Sequence, residues 1–400
     1  VPLLGESAFR AVVVLPAYRL NALGFLTGNA FRDEGSTDET SFGNMGVWDQ
    51  RMALEWVHRY VASFSGDPDN ITVAGYSAGA YSTFHQLAYE LYRVPTPDRI
   101  ISRVIMLSNG PGLRPKTLGE HQAQFDEFVD RLSIDSNLDD AAKLARLREL
   151  PYQRLLDVQQ KMKISEFRPV ADDKFYPQDL FARINDGDFS RRMKERNITL
   201  LSGECRDEHT VYRNWRAPED TFDSLRTRLY AEYPQSDVDK ILHHYCGSEG
   251  KSPTHCQDWQ DLFGRIYANL QVHHLQREFY NALFNGGLQP GKDVLRYRIN
   301  RRLKCVDATL PLEWGVTHSS DVPIWLWGSD FPGGLTEEEK LWLEDWNGQF
   351  AAFVKGEEVN WGTQKPTEVK RWRSDGKTDI WEDDLWVQGN QVWNIVHSDQ

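Results

Sequence analysis

Ile71-Thr72-Val73-Ala74-Gly75-Tyr76-Ser77-Ala78-Gly79 is the stretch on which the fold turns. Its first four residues form an apolar run of the kind found in buried strands. Ala80 to Leu91 then reads as a helix. A G-x-S-x-G string alone is an ordinary loop. Between a strand and a helix it becomes a sharp turn that lifts the Ser77 hydroxyl above a sheet edge. Gly75 and Gly79 are expected to leave the turn room that a side chain would block. The same turn would aim the Ala78 N–H at an oxyanion developing beside Ser77.

Strands and helices alternate outward from this point. Ala11-Val12-Val13-Val14-Leu15 reads as a buried strand stopped by Pro16. Ala53, Trp56, Val57, Tyr60, Val61 and Phe64 recur at three and four, predicting a helix with one apolar face. Further strands are expected at Val104 to Leu107, Ile198 to Leu201 and Val294 to Ile299. Helical stretches fill the intervals, from about Glu120 to Met162 and from about Thr221 to Leu283. The order predicts a mostly parallel twisted sheet flanked by helices, with helical insertions near 112–195 and 215–290 capping the active edge of a single domain. Thr336-Glu337-Glu338-Glu339 is a capping box opening a helix with a Trp342, Trp346, Phe350 and Phe353 stripe, stopped at Gly356. Tryptophan stripes at this spacing read as core rather than as a sugar-binding surface.

Composition narrows the partners. The 400 residues carry a net charge of −13, which argues against nucleic acid or an anionic membrane surface as the main partner. The one basic knot, Arg191 to Arg196, reads as a solvated loop before a strand. No apolar run reaches the roughly 18 residues of a membrane span. Four cysteines are too few for a disulfide scaffold, although Cys246 and Cys256 could pair. His243, His244, Cys246, His255 and Cys256 fit no standard zinc spacing, so a surface loop and no metal are expected.

A serine hydroxyl needs a histidine to take its proton and a carboxylate to orient that histidine. Two loops offer these groups. Gly203-Glu204-Cys205-Arg206-Asp207-Glu208-His209 follows the strand expected at Ile198, and Gly315-Val316-Thr317-His318 follows the one ending near Ile299. Position alone leaves Asp207 and Glu208 both open.

Asn44-Met45-Gly46-Val47-Trp48-Asp49-Gln50-Arg51-Met52-Ala53-Leu54-Glu55-Trp56-Val57 resembles the G-N-x-G-x-x-D-Q-x-x-A-L-x-W-V signature of type-B carboxylesterases and cholinesterases. Phe64-Ser65-Gly66-Asp67-Pro68-Asp69-Asn70-Ile71-Thr72 continues it into the turn, and Tyr18-Arg19-Leu20 with Gly24-Phe25-Leu26 is similar to the family's Y-R-L-x-x-x-G-F segment. The resemblance implies an α/β-hydrolase fold and a serine carboxylic-ester hydrolase acting on small esters without a cofactor. The family's G-x-x-x-D-E-G and G-x-x-H motifs map onto Gly203 to His209 and Gly315 to His318. They imply Ser77 as nucleophile, Glu208 as acid and His318 as general base. A non-catalytic, adhesion-type protein on the same scaffold is the alternative, and such members commonly lack the triad that this chain keeps.

Three positions depart from the family pattern. Tyr76 stands where the family usually has Glu, which points away from cationic and toward neutral esters. His209 replaces a glycine, so its backbone must avoid positive φ or carry strain. The family's H-G-G-G oxyanion segment is expected upstream of Ala11, where Val1 to Arg10 hold the single Gly5. The chain is therefore expected to lack its N-terminal strands and part of the oxyanion hole, and in this form to be a weak enzyme. The lack of cysteine between Ser77 and Cys205 tilts weakly toward the cell interior. The glycosylation patterns at Asn70 and Asn197 lead into expected buried strands and are discounted.

Overall fold

The computed structural model describes residues 2–34, 43–175, 177–329 and 331–397. Six strands form one sheet in sequence order: β1 (Ile71–Tyr76), β2 (Ile101–Leu107), β3 (Thr199–Cys205), β4 (Val294–Ile299), β5 (Glu368–Trp372) and β6 (Thr378–Glu382). The first five run parallel and β6 returns antiparallel to β5.

Parallel neighbours need long crossovers, and helices supply them. α1 (Met45–Tyr60) precedes β1, and α2 (Ala78–Arg93) joins it to β2. Between β2 and β3 lie α3 (Leu118–Arg131), α4 (Asp140–Glu149), α5 (Tyr152–Gln159), α6 (Leu180–Asn185) and α7 (Asp188–Glu195). Between β3 and β4 lie α8 (His209–Asn214), α9 (Phe222–Glu232), α10 (Gln235–Cys246), α11 (Trp259–Ala268) and α12 (His274–Asn285). α13 (Glu337–Lys355) and α14 (Trp386–His397) are the longer helices after β4, and the remaining α-helices are of four to six residues.

Strand alternation builds two cores from one sheet. Val104, Met106, Leu200 and Val294 face one side, where they meet Phe84 and Leu87 of α2 and Phe279 of α12. Ile105, Leu107, Leu201, Leu295 and Ile299 face the other, against Trp325, Trp346, Phe350 and Trp361. Each such side chain contributes about 1.5–3 kcal/mol on burial. A satellite core joins Phe125 and Phe128 of α3 to Leu144, Val158, Ala22 and Leu26.

α13 has the ends its sequence promised. Thr336 Oγ1 accepts from Glu339 N at 3.2 Å, Glu339 returns the bond to Thr336 N at 2.9 Å, and Gly356 closes the helix at φ 81°. Trp346, Phe350 and Phe353 are buried as core. Among the described residues, no helix is long and apolar enough to cross a membrane, and no cluster of His, Cys, Asp and Glu could hold a metal ion.

Four expectations are corrected. Residues 11–15 form no strand, and Leu15 is 90% exposed. β1 is the edge of the sheet and pairs only with β2, so this β-branched run has no ladder among the described residues. The helix containing Ala53 begins at Met45, and its apolar face is largely open: Trp56, Tyr60 and Phe64 are exposed while Val61 is buried. The basic knot at 191–196 is not a loop. Its first five residues end α7, Met193 is wholly buried, and the buried Arg196 guanidinium donates to the carbonyls of Glu90, Leu91 and Val94. It therefore ties α7 to the C-terminal end of α2. Finally, the group read as a surface loop begins inside a helix: His243, His244 and Cys246 form the end of α10 with Cys246 buried, and Cys246 and Cys256, which could have paired, are free thiols.

Candidate active site

Ser77 sits between β1 and α2 at φ 55° and ψ −121°, a conformation that costs a non-glycine residue about 1–3 kcal/mol. The flanking bonds hold it there. Ser77 N donates to Leu107 O at 2.9 Å, extending the β1–β2 ladder, and Ser77 O accepts from Tyr81 N at 3.1 Å, starting the helix. Gly75 is required: a Cβ there would lie 2.5 Å from Ala80 N and closer still to the Gly79 carbonyl. Gly79 is not required in that way. A Cβ at Gly79 meets no heavy atom within 4 Å, which corrects the expectation that both glycines make room. Ala78 is the first residue of α2 and exposed, at a helix end whose leading N–H groups have no intrahelical acceptor.

The three residues singled out in the sequence meet at the carboxyl ends of the strands. His318 Nε2 lies 2.8 Å from Ser77 Oγ, and His318 Nδ1 lies 2.6 Å from Glu208 Oε2. Glu208 is fully buried, and its other oxygen accepts from Cys205 N at 2.8 Å. Asp207, its chain neighbour, is turned away. It pairs with Arg206 and accepts from Val316 N at 2.9 Å, while Asp207 N donates to Val316 O at 2.9 Å. Asp207 thus clamps the loop after β3 to the loop carrying His318. Arg206 and the Val316 N–H, acting against burial, hold its carboxyl below the usual range. Thr210 adds a second tie, donating toward Thr317 Oγ1 at 2.7 Å and Trp314 O at 2.8 Å. His209 opens α8 in a helical conformation, so the missing glycine leaves no strain there.

Asp321 and Tyr212 escaped the sequence reading, and Tyr76 was singled out there only for the charge it lacks. Asp321, fully buried, accepts from Tyr297 OH at 2.6 Å and Ser108 Oγ at 3.1 Å. Burial first, then the nearby Glu208, pushes its carboxyl up. Tyr76 packs its ring against His318 with centroids 4.9 Å apart at a tilt of 33°, and Tyr212 places its hydroxyl 3.4 and 3.5 Å from the two ring nitrogens. Tyr212 follows Glu208 by one helical turn, a spacing that places both on one side of α8. Asp321 follows His318 by three, and that signal was too weak to select it.

A strained serine at a strand–helix turn, bonded to a histidine above a mostly parallel sheet, defines the class as α/β-hydrolase. Comparison with known proteins narrows this. The model of the carboxylesterase family matches residues 3–382. The chain is 53% identical over 398 residues to a carboxylic ester hydrolase of Gibberella moniliformis, covering 100% of this chain and 73% of that protein. It is 33% identical over 400 residues to an uncharacterized esterase/lipase of Schizosaccharomyces pombe, covering 98% of this chain and 71% of that protein. Bile salt-activated lipase of Bos taurus is 32% identical over 191 residues, covering 44% of this chain and 30% of that protein. The chain belongs to the carboxylesterase family.

Proposed function

We propose that the chain is a carboxylic ester hydrolase working through a Ser77–His318–Glu208 triad and an acyl-enzyme. The observation that carries this reading is the unbroken row from Ser77 Oγ through the imidazole to Glu208 Oε2, with spacings of 2.8 and 2.6 Å.

With Glu208 ionised, Nδ1 carries the ring proton and Nε2 is left to accept from Ser77. Ser77 Oγ attacks the ester carbonyl as its proton passes to Nε2, and the tetrahedral oxyanion takes the Ala78 N–H. Collapse breaks the ester C–O bond, and the alcohol leaves with the proton from Nε2. Water then attacks the acyl-enzyme, gives a proton to the same nitrogen and releases the acid and free Ser77. Glu208 stays ionised throughout and faces the imidazolium in both steps.

Tyr76 supports a preference for neutral esters. It puts an aromatic ring against His318 where a carboxylate would have favoured a cation. The helices between β2 and β3, and between β3 and β4, are read as the cap that shapes the pocket.

The test is hydrolysis of p-nitrophenyl acetate and butyrate by wild type and Ser77→Ala. A fall of about 10³-fold or more in kcat supports the reading. Equal rates would end it.

A further inference from the structure

Building on that reading, we infer that Tyr76 and Tyr212 form an aromatic clamp on His318, fixing the imidazole from opposite cores and favouring its protonated form during turnover. The two rings come from different parts of the fold. Tyr76 ends β1 and packs against the Trp325–Trp346 core. Tyr212 lies on α8, is buried in the opposite core and packs on Tyr267 of α11 at 4.8 Å. His318 sits at the sheet edge between them, 7% exposed.

Tyr76 offers its face. The rings are tilted by only 33° at a centroid distance of 4.9 Å, an arrangement in which a cationic ring is attracted to the aromatic quadrupole. Tyr212 offers its oxygen. Both imidazole nitrogens already have in-line partners in Ser77 and Glu208. A hydroxyl 3.4 and 3.5 Å from the two cannot lie in the ring plane, where it would collide with the carbon between them, so it sits over the imidazole face; the two ring centroids are 5.2 Å apart. That is where the positive charge spreads when His318 takes the serine proton. The oxygen, the negative end of the hydroxyl dipole, stabilises the cation by facing its ring.

The titratable groups about His318 come from four elements. They are Glu208 after β3, Tyr76 on β1, Tyr212 on α8 and Asp321 in the histidine's own turn, with Tyr297 of β4 bonded behind Asp321. Burial first keeps all three tyrosines protonated well beyond neutral pH. They act as neutral dipoles and rings, not as charges.

The experiment measures kcat, KM and the pH dependence of kcat/KM on p-nitrophenyl butyrate, with near-UV circular dichroism to verify folding. Tyr212→Phe keeps the ring and loses the oxygen. Its kcat should fall by about three- to tenfold with KM within twofold, and its acid limb should move to lower pH because the protonated imidazole has lost a partner. Tyr76→Phe, which keeps the ring and loses the hydroxyl's bond to Ser319, should leave the acid limb in place, Tyr76→Leu should move it down, and Tyr76→Glu should move it up. In an Asp321→Asn background the Tyr212→Phe displacement should persist. A wild-type kcat and acid limb in Tyr212→Phe would overturn the inference. So would an equal displacement of the acid limb in Tyr76→Phe and Tyr76→Leu, or loss of the Tyr212→Phe displacement when Asp321 is replaced. Full activity in Ser77→Ala would instead overturn the triad itself, so the two failures are distinguishable.

Discussion

Glu208→Gln is the substitution that questions the site most directly, because it changes a charge and a donor pattern but hardly the shape. Glu208 is wholly buried, with one oxygen on Cys205 N at 2.8 Å and the other on His318 Nδ1 at 2.6 Å. Gln has one oxygen and one NH2 to serve these two places. If its oxygen stays on Cys205 N, the NH2 faces Nδ1, which must then accept. The ring proton moves to Nε2, and His318 can no longer take a proton from Ser77. If the amide flips, the tautomer is right, but two N–H donors face each other at Cys205 with no water between them. That mismatch costs about 1–3 kcal/mol. In either state the carboxylate opposite the imidazolium is gone, and a charge-assisted bond of about 1.5–3 kcal/mol becomes a neutral one. The second loss is the difference between the two bonds, about 1–1.5 kcal/mol, so together these amount to about 2–4.5 kcal/mol, or about 30- to 2,000-fold in kcat. KM on a p-nitrophenyl ester should stay within about threefold. Asp207→Asn is the control: its partners are Arg206 and Val316, so kcat should change by less than about threefold. A loss under tenfold in Glu208→Gln, or a larger loss in Asp207→Asn, would refute the assignment of the acid.

Gly75→Ala should lower the urea midpoint by the equivalent of about 2 kcal/mol or more, since its Cβ would meet Ala80 N at 2.5 Å; Gly79→Ala should fold like wild type. Thr336→Ala removes the cap of α13 and should cost about 1 kcal/mol in the same assay with kcat unchanged. Stability should also fall with acid in two stages, read from urea midpoints between pH 7.5 and 3. Burial drives His121 down to about 4, and His85 and His274 down to about 3, so the unfolded chain takes those protons first. Stability is then lost from about pH 6.5 downward, by up to about 1.4 kcal/mol per unit for each histidine. Below about pH 4.5 Glu204 and Asp383 add to the loss, because Arg277 chiefly, working against their burial, holds both carboxyls down in the fold. A flat midpoint from pH 7 to 5 would contradict the first stage.

The parts legible in the sequence are those where a local rule and the tertiary structure agree. β4 spans Val294–Ile299, the bounds expected of it, and the Thr336 capping box is satisfied within a single turn. Failures arise where a residue's partner lies far along the chain. Residues 11–15 have strand composition, yet a strand exists only through a neighbour's hydrogen bonds, and β1 offers them none. Arg196 looked solvated because its run is charged. Its acceptors are carbonyls at the end of α2, about a hundred residues earlier, and no window around Arg196 contains them. The β5–β6 hairpin went unseen because its strands, Glu368–Trp372 and Thr378–Glu382, are half charged. Those charges pair across the hairpin, as Arg371 with Asp379 at 2.8 Å shows.

The same distinction explains the site. Ser77 was readable because the backbone itself demands it: strand, glycine, positive φ and helix follow in consecutive residues. Choosing Glu208 over Asp207 was beyond spacing, since adjacent side chains in one loop are separated only by what they meet. Asp207 meets Val316 N and Arg206, while Glu208 meets Cys205 N and His318. Both acids bridge the same two loops. The half-buried bridge of Asp207 joins the backbones and the buried one of Glu208 joins Cys205 N to His318. Holding the backbones together is what allows the inner acid to stand 2.6 Å from His318 without a flexible reach. A loop with one acid would have to choose between placing the histidine and orienting it, and the two adjacent carboxylates divide those tasks.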